Sequence, residues 1–151
     1  MVKIKKILVP VDFSESTAKI LPYALSVARQ YAAEVILLNV VRDLTSWETW
    51  VPHPSIEEFA KQALSGAEKA MESFCEENSE ELKACASYEK KVVAGDPAAE
   101  IIETVKSENA DMIIMGTHGR KGLEHTIFGS VAENVLRKSP VPVMTVNPHK
   151  V

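Results

Sequence analysis

Cysteine is nearly absent from this chain of 151 residues, occurring only at Cys75, in an amphipathic helical stretch, and Cys85, near the start of a strand-like one. The two are not spaced as a metal knuckle or a redox pair, so they read as reduced structural thiols. Long apolar runs are missing as well: none approaches the roughly eighteen residues that would suggest a membrane span. The start Met1-Val2-Lys3-Ile4-Lys5-Lys6 is basic, but Asp12 and Glu15 interrupt the stretch after it, and no secretory apolar region with a cleavage site is present. A soluble cytoplasmic protein with no membrane partner is the expectation. Positive charge is not in excess either. Seventeen basic against 21 acidic side chains give a formal charge of −4, which argues against a nonspecific grip on nucleic acid through counterion release.

What is present is a hydrophobic share of 46%, too high for a disordered chain, in a length suited to one domain with a continuous core. Ile4 to Val11 and Glu34 to Val41 read as buried parallel strands. Between them Ser14 is placed to cap a helix with an apolar stripe at Ala18, Leu21, Leu25, Ala28 and Ala32. Arg42 to Pro54 loses all periodicity and carries Trp47, Trp50 and His53. Such a loop either covers nearby apolar surface with its tryptophans or forms a flap or partner contact. Ser55 and Glu58 match a capping box, followed by a stripe at Ala60, Leu64, Ala67, Met71 and Phe74. The acidic cluster from Glu76 to Glu81 suits a solvated helix end and turn.

A third strand is expected in the second half of 82–94, ending at Gly95-Asp96-Pro97, with Asp96 as cap and Pro97 at the first helical position. Ile101, Ile102 and Val105 give the next helix its buried face. Asp111 to Met115 is the fourth strand, and Pro140 to Val146 the fifth, whose prolines suit a sheet edge or a strand start. The order β-α-β-α-β-α-β-α-β over residues 1–151, with no internal repeat or linker, predicts a single α/β domain. Right-handed crossovers then make it a doubly wound parallel sheet with helices on both faces.

Between the fourth strand and a helix at Val131 to Lys138 runs Gly116-Thr117-His118-Gly119-Arg120-Lys121-Gly122, continuing to Gly129-Ser130. A glycine loop in that position can bring backbone N–H groups close to phosphate oxygens. It is not a Walker A motif, since no G-x4-G-K-[ST] occurs, nor the dinucleotide fingerprint, which would come after the first strand. Its spacing, G-x2-G-x9-G-[ST] through Gly116, Gly119, Gly129 and Ser130, resembles the ATP-binding signature of the universal stress protein family. Val9-Pro10-Val11-Asp12-Phe13-Ser14, Gly95-Asp96-Pro97 and Val141-Pro142-Val143 extend the resemblance over essentially the whole chain.

The resemblance implies the strand order 3-2-1-4-5 of a Rossmann-like, adenine nucleotide alpha hydrolase-like fold. It also implies a homodimer through the C-terminal strand, and a nucleotide-dependent regulatory module of the stress response with regulatory protein partners. Asp12 and Gly116 would then flank one crevice, at the switch point where ligands bind in such sheets. By the resemblance, Asp12 and its neighbours Pro10, Val11, Phe13 and Ser14 line a nucleoside pocket, and the backbone of Val40 meets adenine. Met115, Gly116, His118, Gly119, Arg120, Gly129, Ser130 and Val131 complete the candidate cofactor site for ATP, with magnesium held mainly by phosphate and water.

Read from the residues themselves, several roles stay open. Asp12 suits a turn or cap as well as a ribose contact. Ser130, three residues before Glu133, fits a capping box as well as a phosphate contact. Arg120 and Lys121 either offset phosphate charge or are solvated. His118 lacks a companion at ligand spacing and reads as a loop anchor rather than a metal ligand or catalyst. No nucleophile and base pair is legible, so efficient hydrolysis is not supported. A slow ATPase or phosphoryl or nucleotidyl transferase is the enzymatic alternative, and a nucleotide-independent interaction module the other.

Overall fold

The computed structural model of the chain describes residues 1–43, 54–118 and 129–151. The tryptophan segment with His53, and residues 119–128 of the glycine loop, lie outside them. Aliphatic runs become the strands β1 (Lys6–Pro10), β2 (Glu34–Arg42), β4 (Met112–Gly116) and β5 (Val143–Val146), while β3 (Tyr88–Gly95), at the sheet edge, carries Glu89, Lys90 and Lys91 before its apolar half. They form one parallel sheet in the order β3-β2-β1-β4-β5, as the resemblance implied. Between the strands lie α1 (Glu15–Tyr31), α2 (Pro54–Glu77), the short α3 (Ser79–Leu82), α4 (Pro97–Glu108) and α5 (Ser130–Lys138).

Because side chains alternate along a strand, the sheet builds two cores. Ile7, Val9, Val35, Leu37 and Ile114 face Leu21 and Leu25 of α1 and Met71 and Phe74 of α2. Leu8, Ile36, Leu38, Ile113 and Met115 face Ile101 and Val105 of α4 and Ala132 and Val135 of α5. Each fully buried aliphatic side chain contributes about 1.5–3 kcal/mol, which explains why strands buried on both faces read as unbroken apolar runs. Helix ends obey their local chemistry. Ser14 accepts from Thr17 N at the start of α1, and Asp96 accepts from Ala99 N at 3.0 Å at the start of α4, with Pro97 first in the helix.

Two helical details depart from expectation. The buried stripe of α1 is Thr17, Ile20, Leu21, Ala24, Leu25 and Ala28. Ala18 is exposed and Ala32 is the exposed left-handed C-cap; alanine tolerates either side, so it marks a face poorly. Helix α2 already begins at Pro54, which places Ser55 inside the helix rather than at its cap, consistent with the preference of proline for the first turn. Cys75 and Cys85 are both free, and burial pushes both thiols up against the opposing charges of Lys90 and Arg29 respectively. That keeps them in the unreactive thiol form at neutral pH.

At their N-terminal ends β1 and β4 are strapped together. Asp111 Oδ2 accepts from Lys5 N at 2.8 Å and Lys6 N at 3.0 Å, while Asp111 N donates to Lys6 O at 2.9 Å. Beside this strap, Lys6 Nζ lies 3.7 Å from Glu34 and 3.8 Å from Glu108, and Lys91 donates a hydrogen bond to Glu108.

The Lys91 hydrogen bond, helped by the charges of Lys91 and Lys6 and only partly opposed by desolvation, holds the Glu108 carboxyl below the usual range. A carboxylate with a lowered folded pKa contributes stability above its unfolded value, about 4.3 for glutamate, and loses that contribution as pH falls through the folded pKa. Glu108→Gln is therefore expected to lower the urea midpoint at pH 7, with the gap from wild type closing on acidification below about pH 4. Urea melts across that range check it. A gap that stays constant with pH would mean that ionisation of Glu108 contributes nothing.

Candidate functional site

The sheet opens where β1 and β4 end. Their ladder pairs Ile7 with Met112 and Leu8 with Ile113 and stops there. The chain leaving β1 is drawn instead toward β2. Val11 N donates to Leu38 O at 2.8 Å, and the Asn39 side-chain amide donates to Val11 O at 2.8 Å. Asn39 is a buried polar residue at 8% exposure, and its side-chain amide supplies the Val11 carbonyl with a donor on the β2 side where the backbone ladder ends. Sequence reasoning passed over it in favour of Val40, which packs half-buried against the α4–α5 core. The signal was there: a lone amide inside Glu34-Val35-Ile36-Leu37-Leu38-Asn39-Val40 is costly unless it is bonded.

Asp12 closes the turn beyond β1. Its Oδ1 accepts from Ser14 N at 3.0 Å and from the hydroxyls of Ser14 and Thr17, each at 2.5 Å, while Thr17 Oγ1 accepts from Asp12 N at 3.1 Å. The turn role considered for this residue is thus real. Among the described residues, every hydrogen bond drawn to the carboxylate ends on Oδ1, so the turn and a ligand contact through Oδ2 are compatible. Phe13 is held at φ +62°, a conformation that costs a non-glycine residue about 1–2 kcal/mol. Its ring packs on Phe74 of α2 with centroids 6.0 Å apart, so part of that cost is offset by burial against the neighbouring helix.

Across the crevice, β4 ends at Gly116. Its φ is not positive. A Cβ there would lie 2.5 Å from Ile20 Cδ1 and 3.1 Å from His118 O. Glycine here leaves room for Ile20 of α1 to pack onto the strand end. Thr117 continues the edge: its N–H donates to Val146 O at 2.9 Å, its carbonyl accepts from Gly129 N at 2.7 Å, and its hydroxyl lies 2.7 Å from His118 Nδ1. His118 is buried at 6% exposure, in keeping with an anchor.

The Thr117–Gly129 bond brings the start of α5 beside the end of β4. Gly129 is the N-cap, extended at φ −70° and ψ 158°, and among the described residues no side chain caps the helix. This corrects the capping-box reading of Ser130, which is the first helical residue. One residue too far into the helix, it cannot exchange bonds with Glu133, whose carboxylate pairs with Arg137 at 2.7 Å instead. Among the described residues, the first N–H groups of α5, at the positive end of its dipole, thus carry no side-chain acceptor.

The structure therefore gathers Pro10, Val11, Asp12, Phe13 and Ser14 on one side of the opening and Met115, Gly116, His118, Gly129, Ser130 and Val131 on the other. Met115 and Val131 serve the α4–α5 core. Gly119 and Arg120 lie outside the described residues. Gly116→Ala is expected to destabilise the fold by about 1–3 kcal/mol through overpacking, and adding Ile20→Val, which removes the opposing methyl, should recover much of the loss. Urea denaturation of the single and double variants measures this. A stable Gly116→Ala protein would remove the packing explanation.

Comparison with known proteins bears on the whole chain. The sequence profile of the Universal stress protein family (Usp) matches residues 3–147. Universal stress protein MJ0577 of Methanocaldococcus jannaschii is 36% identical, with 94% of each chain covered. A solved structure of MJ0577 superposes with a TM-score of 0.80 over 97% of both chains at 34% identity. Two more distant structures share the fold. A universal stress protein in complex with cAMP has a TM-score of 0.63 at 20% identity, covering 97% of this chain and 99% of its own. One from Archaeoglobus fulgidus in complex with dAMP has a TM-score of 0.60 at 22% identity, covering 97% and 100%. With its sheet order, its switch-point crevice and a profile match spanning nearly its full length, the chain belongs to the universal stress protein family.

Proposed function

We propose that this chain binds an adenine nucleotide, ATP with magnesium, in the crevice between the ends of β1 and β4, and that occupancy acts as a regulatory signal of the stress response. The observation that carries the reading is the start of α5. A glycine cap leaves its first N–H groups without a side-chain acceptor among the described residues, and the Thr117–Gly129 hydrogen bond sets them beside the strand end. An anion is the natural complement of such a site. The glycine spacing that resembles the ATP-binding signature supports the same ligand, as do the cAMP and dAMP complexes of distant relatives.

On this reading the N–H groups of Ser130 and Val131 donate to phosphate oxygens, with Gly119 and Arg120 contributing from the loop. Asp12, through Oδ2, accepts from ribose hydroxyls. Pro10, Val11, Phe13, Ser14 and the backbone of Val40 enclose the nucleoside. Magnesium, when bound, would neutralise phosphate charge through phosphate and water ligands. Cytoplasmic placement and regulatory protein partners belong to the same proposal.

Gly129→Asp is the informative variant. Its backbone angles suit any residue, and aspartate is a good N-cap, so the fold should be at least as stable. The new carboxylate would occupy the N–H groups and repel phosphate. Calorimetric titration with Mg-ATP should show saturable binding to wild type, weaker binding of AMP and GTP, and at least a roughly tenfold loss in the variant, equivalent to about 1.4 kcal/mol. Folded wild-type protein that takes up no ATP would defeat the proposal, and turnover lost in the same variant would recast the module as a slow ATPase.

The same proposal includes a homodimer. Among the described residues β5 is an edge strand, paired with β4 alone, and an unpaired edge is a ready pairing surface. Light scattering over a range of concentrations should give about twice the 16.6 kDa chain mass. A monomer throughout would exclude it.

A further inference from the structure

The residues after β5 touch the root of the glycine loop in a way that the nucleotide reading leaves unused. Parallel pairing of β4 with β5 sets Gly116 opposite Val146, so both strands deliver their next residues to the same corner. There Asn147 folds the chain back on itself. Its Oδ1 accepts from His149 N at 3.0 Å and its carbonyl from Lys150 N at 3.1 Å. Pro148 is buried, and its carbonyl receives the ammonium of Lys19 on α1 at 3.4 Å. The turn places the ring of His149 edge-on to His118, with centroids 5.0 Å apart and planes at 68°.

His118 in turn lies against the Thr117 hydroxyl, and the Thr117 carbonyl holds Gly129 N. The contacts thus run from the tail through His118 and Thr117 to the start of α5. Neither histidine has a metal-site neighbourhood: among the described residues no group of three or more His, Cys, Asp or Glu could hold an ion. The contact is one of shape, in which an aromatic edge meets an aromatic face.

We propose that His149 is a positioning residue for the nucleotide site, fixing His118 at the root of the loop and, through Thr117, the N-terminus of α5. The role rests on the nucleotide reading of the crevice. Because His149 is itself exposed, replacing it should leave the cores intact. What matters is the ring rather than its protons, so phenylalanine should substitute and alanine should not.

The test compares wild type with His149→Ala and His149→Phe by two readouts. The first is the ring proton shift of His118 in nucleotide-free protein, recorded by NMR with labelled histidine. The second is Mg-ATP affinity by calorimetry. We expect His149→Ala to move the His118 signals and weaken ATP binding about twofold to tenfold, the range of a single aromatic pair, and His149→Phe to keep wild-type affinity. Unchanged affinity in His149→Ala overturns the positioning role even where the His118 signals move. Equal loss in both variants also overturns it, since ring shape would then not be the cause. Should wild type bind no ATP, the nucleotide reading itself has failed and the role falls with it, while the His118 shifts still report whether the rings touch.

Discussion

The structure depends on how β1 and β4 are held. They are adjacent at the centre of the sheet, strapped at one end by the Asp111 carboxylate on Lys5 N and Lys6 N and unpaired beyond Leu8 and Ile113 at the other. A pair of strands tied along its whole length would have no crevice. One tied nowhere would not keep the Asp12 turn and Gly116 in a fixed relation. Reversal of winding at this pair sends α1 and α2 to one face and α4 and α5 to the other, so that among the described helices none crosses from one to the other over the opening. Asn39 maintains the divergence from the far side by holding the Val11 carbonyl toward β2.

Much of the local chemistry at the opening serves structure and site together. Asp12 forms the turn that starts α1 with one carboxylate oxygen. Phe13 takes a strained backbone angle and recovers part of the cost against Phe74. Gly116 admits Ile20 of α1. The candidate site is therefore built from positions already constrained by packing, which is the condition for holding donors still.

The strands and the glycine spacing were legible in the sequence because each is a local pattern, aliphatic runs, capping residues and glycines at fixed intervals, while the order of the strands in the sheet came from the family resemblance. Ser14, Asp96 and Pro97 took the roles that their neighbours dictate. What was not legible depends on residues far apart in the chain. The reason for Gly116 is Ile20 on another element, and the importance of Asn39 is a carbonyl on another strand. The start of α5 was misread by one residue, since Ser130 and Glu133 carry the letters of a capping box while Gly129 makes the cap. Helix α1 was misjudged at Ala18 and Ala32, where a methyl group gives little preference for either side. The tryptophan segment and residues 119–128, including Gly119 and Arg120, lie outside the described residues, so their expectations are neither met nor refused.

The Asp111 strap also dictates an order of assembly. Its hydrogen bond to Lys5 spans 106 positions of the chain, whereas β1 meets β2 after a single helix. As the polypeptide leaves the ribosome, β1, β2 and β3 can associate while the other edge of β1, an aliphatic strand, has no neighbour. That edge stays open until β4 emerges. Contacts of such long range slow folding and prolong the exposure of an unpaired strand. The central strand of the finished sheet is thus the vulnerable edge of the nascent one, and the interval before β4 emerges is when a chaperone would have most to protect.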